Sequence, residues 1–321
     1  MKCSVVIVTH DRIKFLRLTI QSLINQIIPP NEVIIIDDAS RVPVINEIKD
    51  LVDILYSYNI KFKVIRTEHE LGLGTARSVG AKISLGDFIV FLDDDVIASK
   101  ELISSYMNIF NRNPCNIVAG PCYAYYLGLS RYKLPRWWRE EILGGIVAVR
   151  NDVLLYRRRN PADYVYGCNF AIDRTTLETT RGFKPWLGRI CGKLLSGEEW
   201  DLVARAVKKG LKVCFAKNAA VYHLIPVSKI NIRRILNMSK DLGRTRCILI
   251  YDGSIDEKFS RYMLKRYITL PRDFIECVLY LIAGDFARAV NKIYELLLHL
   301  NTIISCKNVI KDMHGRPYTC K

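Results

Sequence analysis

The sequence lacks several features that would assign a class at once. No apolar run reaches the roughly 18 residues expected of a membrane-spanning helix. None of the ten cysteines lies in a Cys-x-x-Cys pair or a zinc-like spacing. No nucleic-acid-binding module is recognisable, so nucleic acid is not an expected partner. Acidic residues are few: 32 Asp and Glu against 48 Lys and Arg give a net charge of +16, which favours anionic partners such as nucleotide phosphates or an anionic membrane surface.

Chain length, hydrophobic content and cysteine positions indicate the size of the protein and its expected location. The 321 residues allow one large domain with an appendage, and half of them are hydrophobic, so a sizeable core is available. Several cysteines lie in apolar, strand-like runs, where cysteine behaves as a small buried hydrophobe. We therefore expect mostly reduced cysteines and a cytoplasmic protein. The chain enters a strand directly after its start, so no signal peptide is expected.

Strands and helices alternate through the first part of the chain. Short apolar runs rich in β-branched residues predict strands at 3–9, 32–36, 61–66 and 87–92. Helical periodicity lies between them, at 15–27, 45–58 and 72–84. This alternation predicts an α/β fold with right-handed crossovers and a mostly parallel sheet.

Acidic residues follow two of these predicted strands. Asp37-Asp38 ends the second strand, and Asp93-Asp94-Asp95 ends the fourth. Ligands of open α/β sheets bind outside the carboxyl ends of the strands, so Thr9 and these acids are expected at one edge. A hard divalent cation bound to phosphate would suit Asp93 and Asp95. The alternative is an acidic turn or helix cap, because aspartate is favoured at both.

Two further segments carry candidate site residues, each with a structural alternative. Gly72-Leu73-Gly74 opens a helix at which backbone amides and Arg77 could face an anion; otherwise the glycines form a turn and the arginine lies at the surface. Glu198 and Glu199 begin a helix that runs to Lys209. They either complement the helix dipole or supply a catalytic base.

The remaining chain has a different character. Residues 123–160 are irregular, aromatic and basic, which suits either a cover over an acceptor site or an insertion facing lipid or solvent. Beyond Pro226 the periodicity predicts helices at 229–250, 257–270, 272–282 and 285–304. An apolar stripe from Phe286 to Leu300 in the last helix indicates either packing on the body of the protein or an interfacial helix on a membrane.

Six stretches together match a known family. They are Val5–Arg12 (VVIVTHDR), Ile36–Ser40 (IDDAS), Gly72–Gly80 (GLGTARSVG), Phe91–Asp95 (FLDDD), Gly167–Ile172 (GCNFAI) and Gly197–Leu202 (GEEWDL). Each is modest alone, but they occur in the family's order over roughly residues 3 to 223. The chain resembles family 2 glycosyltransferases, inverting enzymes with the GT-A fold.

The resemblance implies roles for individual residues. Thr9 and Asp38 would hold the nucleotide base, with Asp37 beside them, and Arg77 would lie near the ribose or the phosphates. Asp93 and Asp95 match the ends of the family's DxD motif. Asp93 and Asp94 would line the nucleotide site, and Asp95 would bind Mg²⁺ or Mn²⁺ on the diphosphate.

Two further roles complete what the resemblance implies. His223 follows the last core strand, where some relatives carry another metal ligand. Glu199 matches the second acid of the family's Glu-Asp pair, so Glu199 is the expected base and Glu198 is the alternative. An inverting transfer needs one carboxylate to take the acceptor proton and no covalent nucleophile.

The sequence thus predicts a GT-A, Rossmann-like α/β domain over 1–225. A helical region follows over 226–321, which either packs on the body of the protein or contacts the membrane. The expected function is metal-dependent, inverting transfer from a nucleoside-diphosphate sugar, with UDP as the expected nucleotide, to a glycan or lipid-linked acceptor. A peripheral contact with the inner face of the cell membrane accompanies that expectation. The alternatives are a sugar nucleotidyltransferase and a non-catalytic glycan- or membrane-binding protein on the same scaffold.

Overall fold

The computed structural model describes residues 1–112, 114–129, 133–149, 163, 165–255 and 258–312. The chain divides into two compact units. The first comprises Met1–Tyr125, Ala148–Cys191 and Glu198–Leu224, and the second comprises Tyr126–Val147, Gly192–Gly197 and Ile225–Lys321. The predicted domain boundary between residues 225 and 226 stays a prediction. The second compact unit also includes two segments that precede this boundary, Tyr126–Val147 and Gly192–Gly197.

The strands and helices are numbered in chain order. The strands are β1 (Cys3–Thr9), β2 (Glu32–Asp37), β3 (Lys61–Arg66), β4 (Phe88–Asp93), β5 (Val96–Ala98), β6 (Ile117–Ala119), β7 (Cys122–Leu127), β8 (Asn169–Asp173), β9 (Val213–Phe215) and β10 (Val221–Pro226). The helices are α1 (Ile13–Ile24), α2 (Val44–Glu47), α3 (Lys49–Ser57), α4 (Leu73–Ile83), α5 (Leu102–Arg112), α6 (Glu140–Leu143), α7 (Arg174–Thr180), α8 (Glu198–Lys208), α9 (Ile232–Tyr251), α10 (Phe259–Ile282) and α11 (Phe286–Asp312).

The central sheet has seven strands in the order β3-β2-β1-β4-β8-β6-β9. β3, β2, β1 and β4 run parallel, as the alternating pattern predicts, and β8 is antiparallel to both β4 and β6. A second sheet has the order β5-β10-β7. The predicted mostly parallel sheet flanked by helices is therefore confirmed.

Both faces of the central sheet are buried, because the strands alternate their side chains between two apolar clusters. Val5 and Ile7 of β1 pack with the helix α1 on one face, and Val6 packs with α4 on the other. Gly80 lets α4 approach closely: a Cβ there would lie 2.4 Å from Cγ1 of Val6. The Ala- and Gly-rich sequence of α4 is thus a consequence of its tight packing on β1.

Three expectations about secondary structure are corrected. The single helix predicted at 45–58 is two, α2 and α3, with Ile48 between them in a non-helical conformation. The irregular segment predicted at 123–160 contains most of β7 and all of α6, while 150–162 lies outside the described residues. The break predicted near Pro271 is absent, since α10 continues through it. Because Pro271 has no backbone N–H, the carbonyl of Tyr267 lacks its helical hydrogen bond. Both residues are exposed, so water can donate to this carbonyl instead.

The cysteines also differ from expectation. Disulfides join Cys115 to Cys214 and Cys247 to Cys306, with Cα–Cα separations of 6.0 Å and 5.4 Å. Both separations lie within the usual range. The expectation of reduced thiols is wrong for these four residues, and the argument from reduced cysteines to a cytoplasmic protein loses that support.

The structure favours packing for the middle of the apolar stripe on α11. Ala289 and Val290 are buried within the second unit, whereas Phe286 and Leu300 at the ends of the stripe are exposed. The exposed apolar side chains of this region lie mainly on α10. Within the described residues, no helix has the length and the apolar character that crossing a bilayer requires.

Candidate active site

The ends of three parallel strands bring the predicted acidic residues to one edge of the sheet. The register pairs Thr9 with Asp37 across β1 and β2, and Val8 with Asp93 across β1 and β4. Strand β1 lies between its two acidic neighbours, so both clusters flank its end. This is the edge at which ligands of open α/β sheets bind.

Asp37 and Asp38 are buried and hold the surrounding loops. Asp37 accepts hydrogen bonds from the backbone of Ser40 and Val44 and from the Arg66 side chain. Asp38 accepts backbone N–H groups of Leu71 at 2.7 Å and Gly72 at 3.0 Å. Asp38 therefore fixes the loop that leads into α4. The predicted contacts of both acids with the nucleotide stay predictions.

Arg12 joins two of the acids that follow β4. Its Nη1 lies 2.8 Å from Oδ1 of Asp94, and its Nη2 pairs with Oδ2 of Asp95. The hydroxyl of Thr9 donates to Oδ2 of Asp94 at 2.6 Å. Burial raises the pKa of Asp94 to about 7; Arg12 opposes this, and the charge of Asp95 adds to it. Each carboxylate oxygen of Asp94 therefore has one partner within the protein.

His223 reaches the same cluster through a strand pairing. Antiparallel β5 and β10 pair Val96 with His223, and Nε2 of His223 lies 3.3 Å from Oδ2 of Asp95. Burial lowers the pKa of His223, but the carboxylate of Asp95 outweighs this and raises it. The two residues predicted as metal ligands therefore lie in direct contact.

The donor atoms of this pair suit a divalent cation. Oδ1 of Asp95 and Nδ1 of His223 are buried and make no hydrogen bond to the described residues. Buried polar atoms normally have a partner, which a bound cation or an ordered water could supply to each of these two atoms. Among the described residues, no group of three or more His, Cys, Asp or Glu side chains is arranged to hold a metal. Asp95 and His223 would thus leave most coordination positions to phosphate and water, as Mg²⁺ sites commonly do.

Arg77 links the acid cluster after β4 to the start of α8. Its guanidinium is buried; Nη2 donates to Oδ1 of Asp93 at 2.8 Å and to the carbonyl of Gly167 at 2.7 Å. Nη1 donates to Oε1 of Glu198 at 2.7 Å. One buried cation thus brings Asp93 and Glu198 together, although they are far apart in the sequence.

Glu198 and Glu199 differ in their surroundings. Glu198 is held by Arg77 through Oε1, while Oε2 of each glutamate is buried without a hydrogen-bond partner. Burial raises the pKa of Glu199 to about 8, and the neighbouring Glu198 adds to this, while Arg77 opposes it. A carboxylate whose pKa lies near neutrality is suited to accept a proton in catalysis. This difference favours Glu199 over Glu198 as the base.

Structural roles emerge for three residues that the sequence left without one. Arg12 stands in the matched motif, but only the fold reveals its acidic partners. Gly167 leaves room for Arg77, since a Cβ there would lie 3.0 Å from both terminal guanidinium nitrogens. Asn169 is fully buried; it accepts from the hydroxyl of Tyr106 and donates to two backbone carbonyls. The glycine and the asparagine of GCNFAI therefore support the site.

Comparison with known proteins assigns the class. The model of the family described as glycosyl transferase family 2 matches residues 4–183. The match covers more than half of the 321 residues, and the chain therefore belongs to glycosyl transferase family 2. The protein is a glycosyltransferase with a GT-A fold. This membership favours sugar transfer over the two alternatives that the sequence left open.

Individual relatives are distant. An uncharacterized glycosyltransferase of Haemophilus influenzae is 32% identical over 111 residues, which cover 35% of each protein. The glucosyl-dolichyl phosphate glucuronosyltransferase of Haloferax volcanii is 24% identical over 232 residues, covering 70% of this chain and 69% of the relative. The chain thus spans about a third of the first relative's length and somewhat more than two thirds of the second's.

A solved structure supports the fold. The mannosyltransferase PcManGT from Pyrobaculum calidifontis, solved with GDP-Man and Mn²⁺, superposes with a TM-score of 0.63 at 13% sequence identity. The alignment covers 97% of this chain and 87% of that one. At this identity the likeness shows the GT-A architecture alone.

Proposed function

We propose that this protein is an inverting, metal-dependent glycosyltransferase. It transfers a sugar from a nucleoside-diphosphate sugar, with UDP as the expected nucleotide, to a hydroxyl of a glycan or lipid-linked acceptor. The observation that carries the proposal is the bridge that Arg77 makes between Asp93 and Glu198. It supports a site in which the donor-binding acids and the proposed base on α8 stand side by side.

Glu199 is the proposed base. As the acceptor oxygen attacks the anomeric carbon, its proton passes to the Glu199 carboxylate. The bond between the anomeric carbon and the diphosphate oxygen breaks, and its electron pair leaves with the nucleoside diphosphate. A single displacement from the opposite side inverts the anomeric configuration. The raised pKa of Glu199 and the unpartnered oxygen Oε2 support this role.

Asp95 and His223 are the proposed ligands of Mg²⁺ or Mn²⁺. When bound, the cation would stabilise the negative charge of the leaving diphosphate. Arg12 would hold Asp95 in place through its paired contacts with Asp94 and Asp95. The mannosyltransferase PcManGT, which has a similar fold, was solved with Mn²⁺, and this also supports a divalent cation here.

The acceptor class and the cellular setting are proposed from the relatives and from composition. The Haloferax relative is named for a dolichyl phosphate-linked substrate, which supports a lipid-linked acceptor here. A role in polysaccharide or glycan synthesis agrees with that class of acceptor. The net charge of +16 supports a peripheral contact with an anionic membrane surface.

Isothermal titration with UDP and GDP, with Mn²⁺ or with a chelator, tests the donor and metal assignments. We expect tighter binding of one nucleotide in Mn²⁺ and loss of that gain in Asp95→Asn. Asp87→Asn is the matched control, because Asp87 precedes the same strand and accepts the backbone N–H of Lys2 at the opposite end. Equal, metal-independent binding by wild type and Asp95→Asn would remove Asp95 as a metal ligand.

A further inference from the structure

The helix α10 carries an exposed apolar face along most of its length. Its members recur three, four or seven residues apart, which is the spacing of one face of a helix. They are Leu264, Ile268, Ile275, Leu279 and Ile282, and the exposed Phe274 lies at the border of this face. From Leu264 to Ile282 this face extends roughly 27 Å at 1.5 Å per residue. A contiguous apolar surface of this kind marks an interaction site, whereas single exposed apolar residues do not.

Charge borders this face on one side only. Arg261, Lys265 and Arg272 are exposed along one edge of the apolar residues. Asp273, one of the two acids of α10, is buried, and the other, Glu276, pairs with Lys292 of α11 at 2.8 Å and with Arg272 at 3.6 Å. The exposed half of the helix therefore presents apolar and cationic groups, and the partly exposed carboxylate of Glu276 is compensated by Arg272 and Lys292. An anionic lipid surface is complementary to both features.

An apolar cavity adjoins the end of this face. Its volume is about 270 Å³, and it lies within the second unit. The lining includes Trp137, Leu236 and Ile293, together with Leu281 and Phe286. Both of these are exposed; Leu281 directly precedes Ile282 at the end of the face, and Phe286 follows it along the chain. The size is close to the lower end of about 300 Å³ for small-molecule sites, and its apolar walls suit hydrocarbon.

We propose that the apolar face of α10 is the membrane-docking surface of this protein, and that it lies flat on an anionic lipid bilayer. The apolar side chains would enter the boundary between headgroups and acyl chains, while Arg261, Lys265 and Arg272 meet lipid phosphates. This deepens the membrane contact of the proposed function and moves it from α11, where the sequence suggested it, to α10.

Vesicle co-sedimentation tests the surface directly. The triple variant Leu264→Gln/Ile268→Gln/Ile275→Gln replaces side chains that are 57% to 70% exposed, so the folded structure should tolerate it. We expect its partition coefficient onto equimolar phosphatidylcholine and phosphatidylglycerol vesicles to fall at least ~10-fold, because apolar burial in lipid is lost. The matched control Ile27→Gln/Ile54→Gln/Leu85→Gln changes residues of the first unit that are 41% to 63% exposed, and should bind like wild type.

The charged edge has a separate readout. Arg261→Gln/Lys265→Gln/Arg272→Gln should weaken binding to the anionic vesicles and leave binding to pure phosphatidylcholine vesicles unchanged. Added salt should weaken wild-type binding to the anionic vesicles and have little effect on this variant. Equal binding of wild type and this variant to anionic vesicles at low salt would overturn the cationic part of the proposal.

Two controls separate this surface from the catalytic proposal and from self-association. Nucleotide binding of each variant, measured by titration, should match wild type, which also shows that the variants fold. Wild type that binds nucleotide but not vesicles would overturn the surface and leave the proposed function standing. Wild type that binds vesicles but no nucleotide would overturn the proposed function and leave the membrane-docking surface standing. Self-association is tested by sedimentation equilibrium. If wild type is a dimer, the apolar triple variant is a monomer and neither protein binds vesicles, the face belongs to a contact with a second copy of this chain.

Discussion

Replacement of Glu199 by glutamine probes the proposed base with little change in volume. Glutamine retains the side-chain length but cannot take a proton from the acceptor. General base catalysis contributes roughly 10²- to 10⁴-fold, so we expect turnover to fall at least ~100-fold. Donor affinity should change little, because the proposed nucleotide contacts other than Arg77 lie at the ends of β1, β2 and β4. Release of nucleoside diphosphate under saturating donor measures the first quantity, and titration calorimetry measures the second.

The same variant should change the pH dependence of activity. The pKa of Glu199 is raised to about 8, chiefly by burial and then by Glu198. At pH 7 only about one tenth of such a group is ionised, so wild-type activity should rise roughly tenfold from pH 7 before it levels above pH 8. Residual activity of Glu199→Gln should lack this rise.

Stability should respond in the opposite direction to pH. Because the folded-state pKa lies above the ordinary glutamate value of 4.5, the folded state binds more protons between 4.5 and about 8. The free energy of unfolding therefore falls as pH rises through this window. At 1.36 kcal/mol per pH unit, the free energy of unfolding falls by at most about 5 kcal/mol across this window. Glu199 is only partly buried by its neighbours, so we expect about 1–2 kcal/mol, absent in Glu199→Gln.

Two other glutamates control for this experiment. Glu198→Gln tests the adjacent acid and should slow turnover less than Glu199→Gln does. Glu101→Gln, an exposed residue just before α5, should be silent in every measurement. Wild-type turnover by Glu199→Gln with impaired Glu198→Gln would move the base one residue back. Wild-type turnover by both would place the base elsewhere and leave the acids as the start of a helix.

Two predictions concern the packing that holds the site together. Arg77→Met should lower the free energy of unfolding by about 3–5 kcal/mol in urea melts, because the two carboxylates it bridges lose their buried counter-charge; an unchanged melt would contradict the buried bridge. Gly80→Ala should cost about 1–3 kcal/mol, since its Cβ would lie 2.4 Å from Val6. Val6→Ala in the same protein should restore part of that loss, and failure to do so would count against the contact.

The acidic edge of the sheet was predictable because it follows from strand ends alone. A parallel sheet places the ends of its neighbouring strands together, and the acids at Asp37 and Asp93 stand directly at those ends. The partners of the acids were not predictable. Arg12 meets Asp95 across 83 residues of sequence, and Arg77 meets Glu198 across 121. Such pairings depend on how loops return to the sheet, which local periodicity does not encode.

The C-terminal helices show a second limit of sequence patterns. Both α10 and α11 carry apolar residues at helical spacing, and periodicity alone cannot say which stripe is buried. The stripe on α11 attracts attention because it is regular, yet Ala289 and Val290 are buried there, while Ile268 and Ile282 of α10 are exposed. Pro271 also misleads, because a proline on an exposed helix face need not end the helix.

The most direct test of the account is release of nucleoside diphosphate from a panel of UDP- and GDP-linked sugars in the presence of Mn²⁺. We predict release from at least one donor by wild type, loss of that release in chelator, and a fall of at least ~100-fold in Glu199→Gln. Release from that donor at an equal rate by wild type and Glu199→Gln, or at an equal rate with and without metal, would contradict a metal-dependent transfer that uses Glu199 as its base.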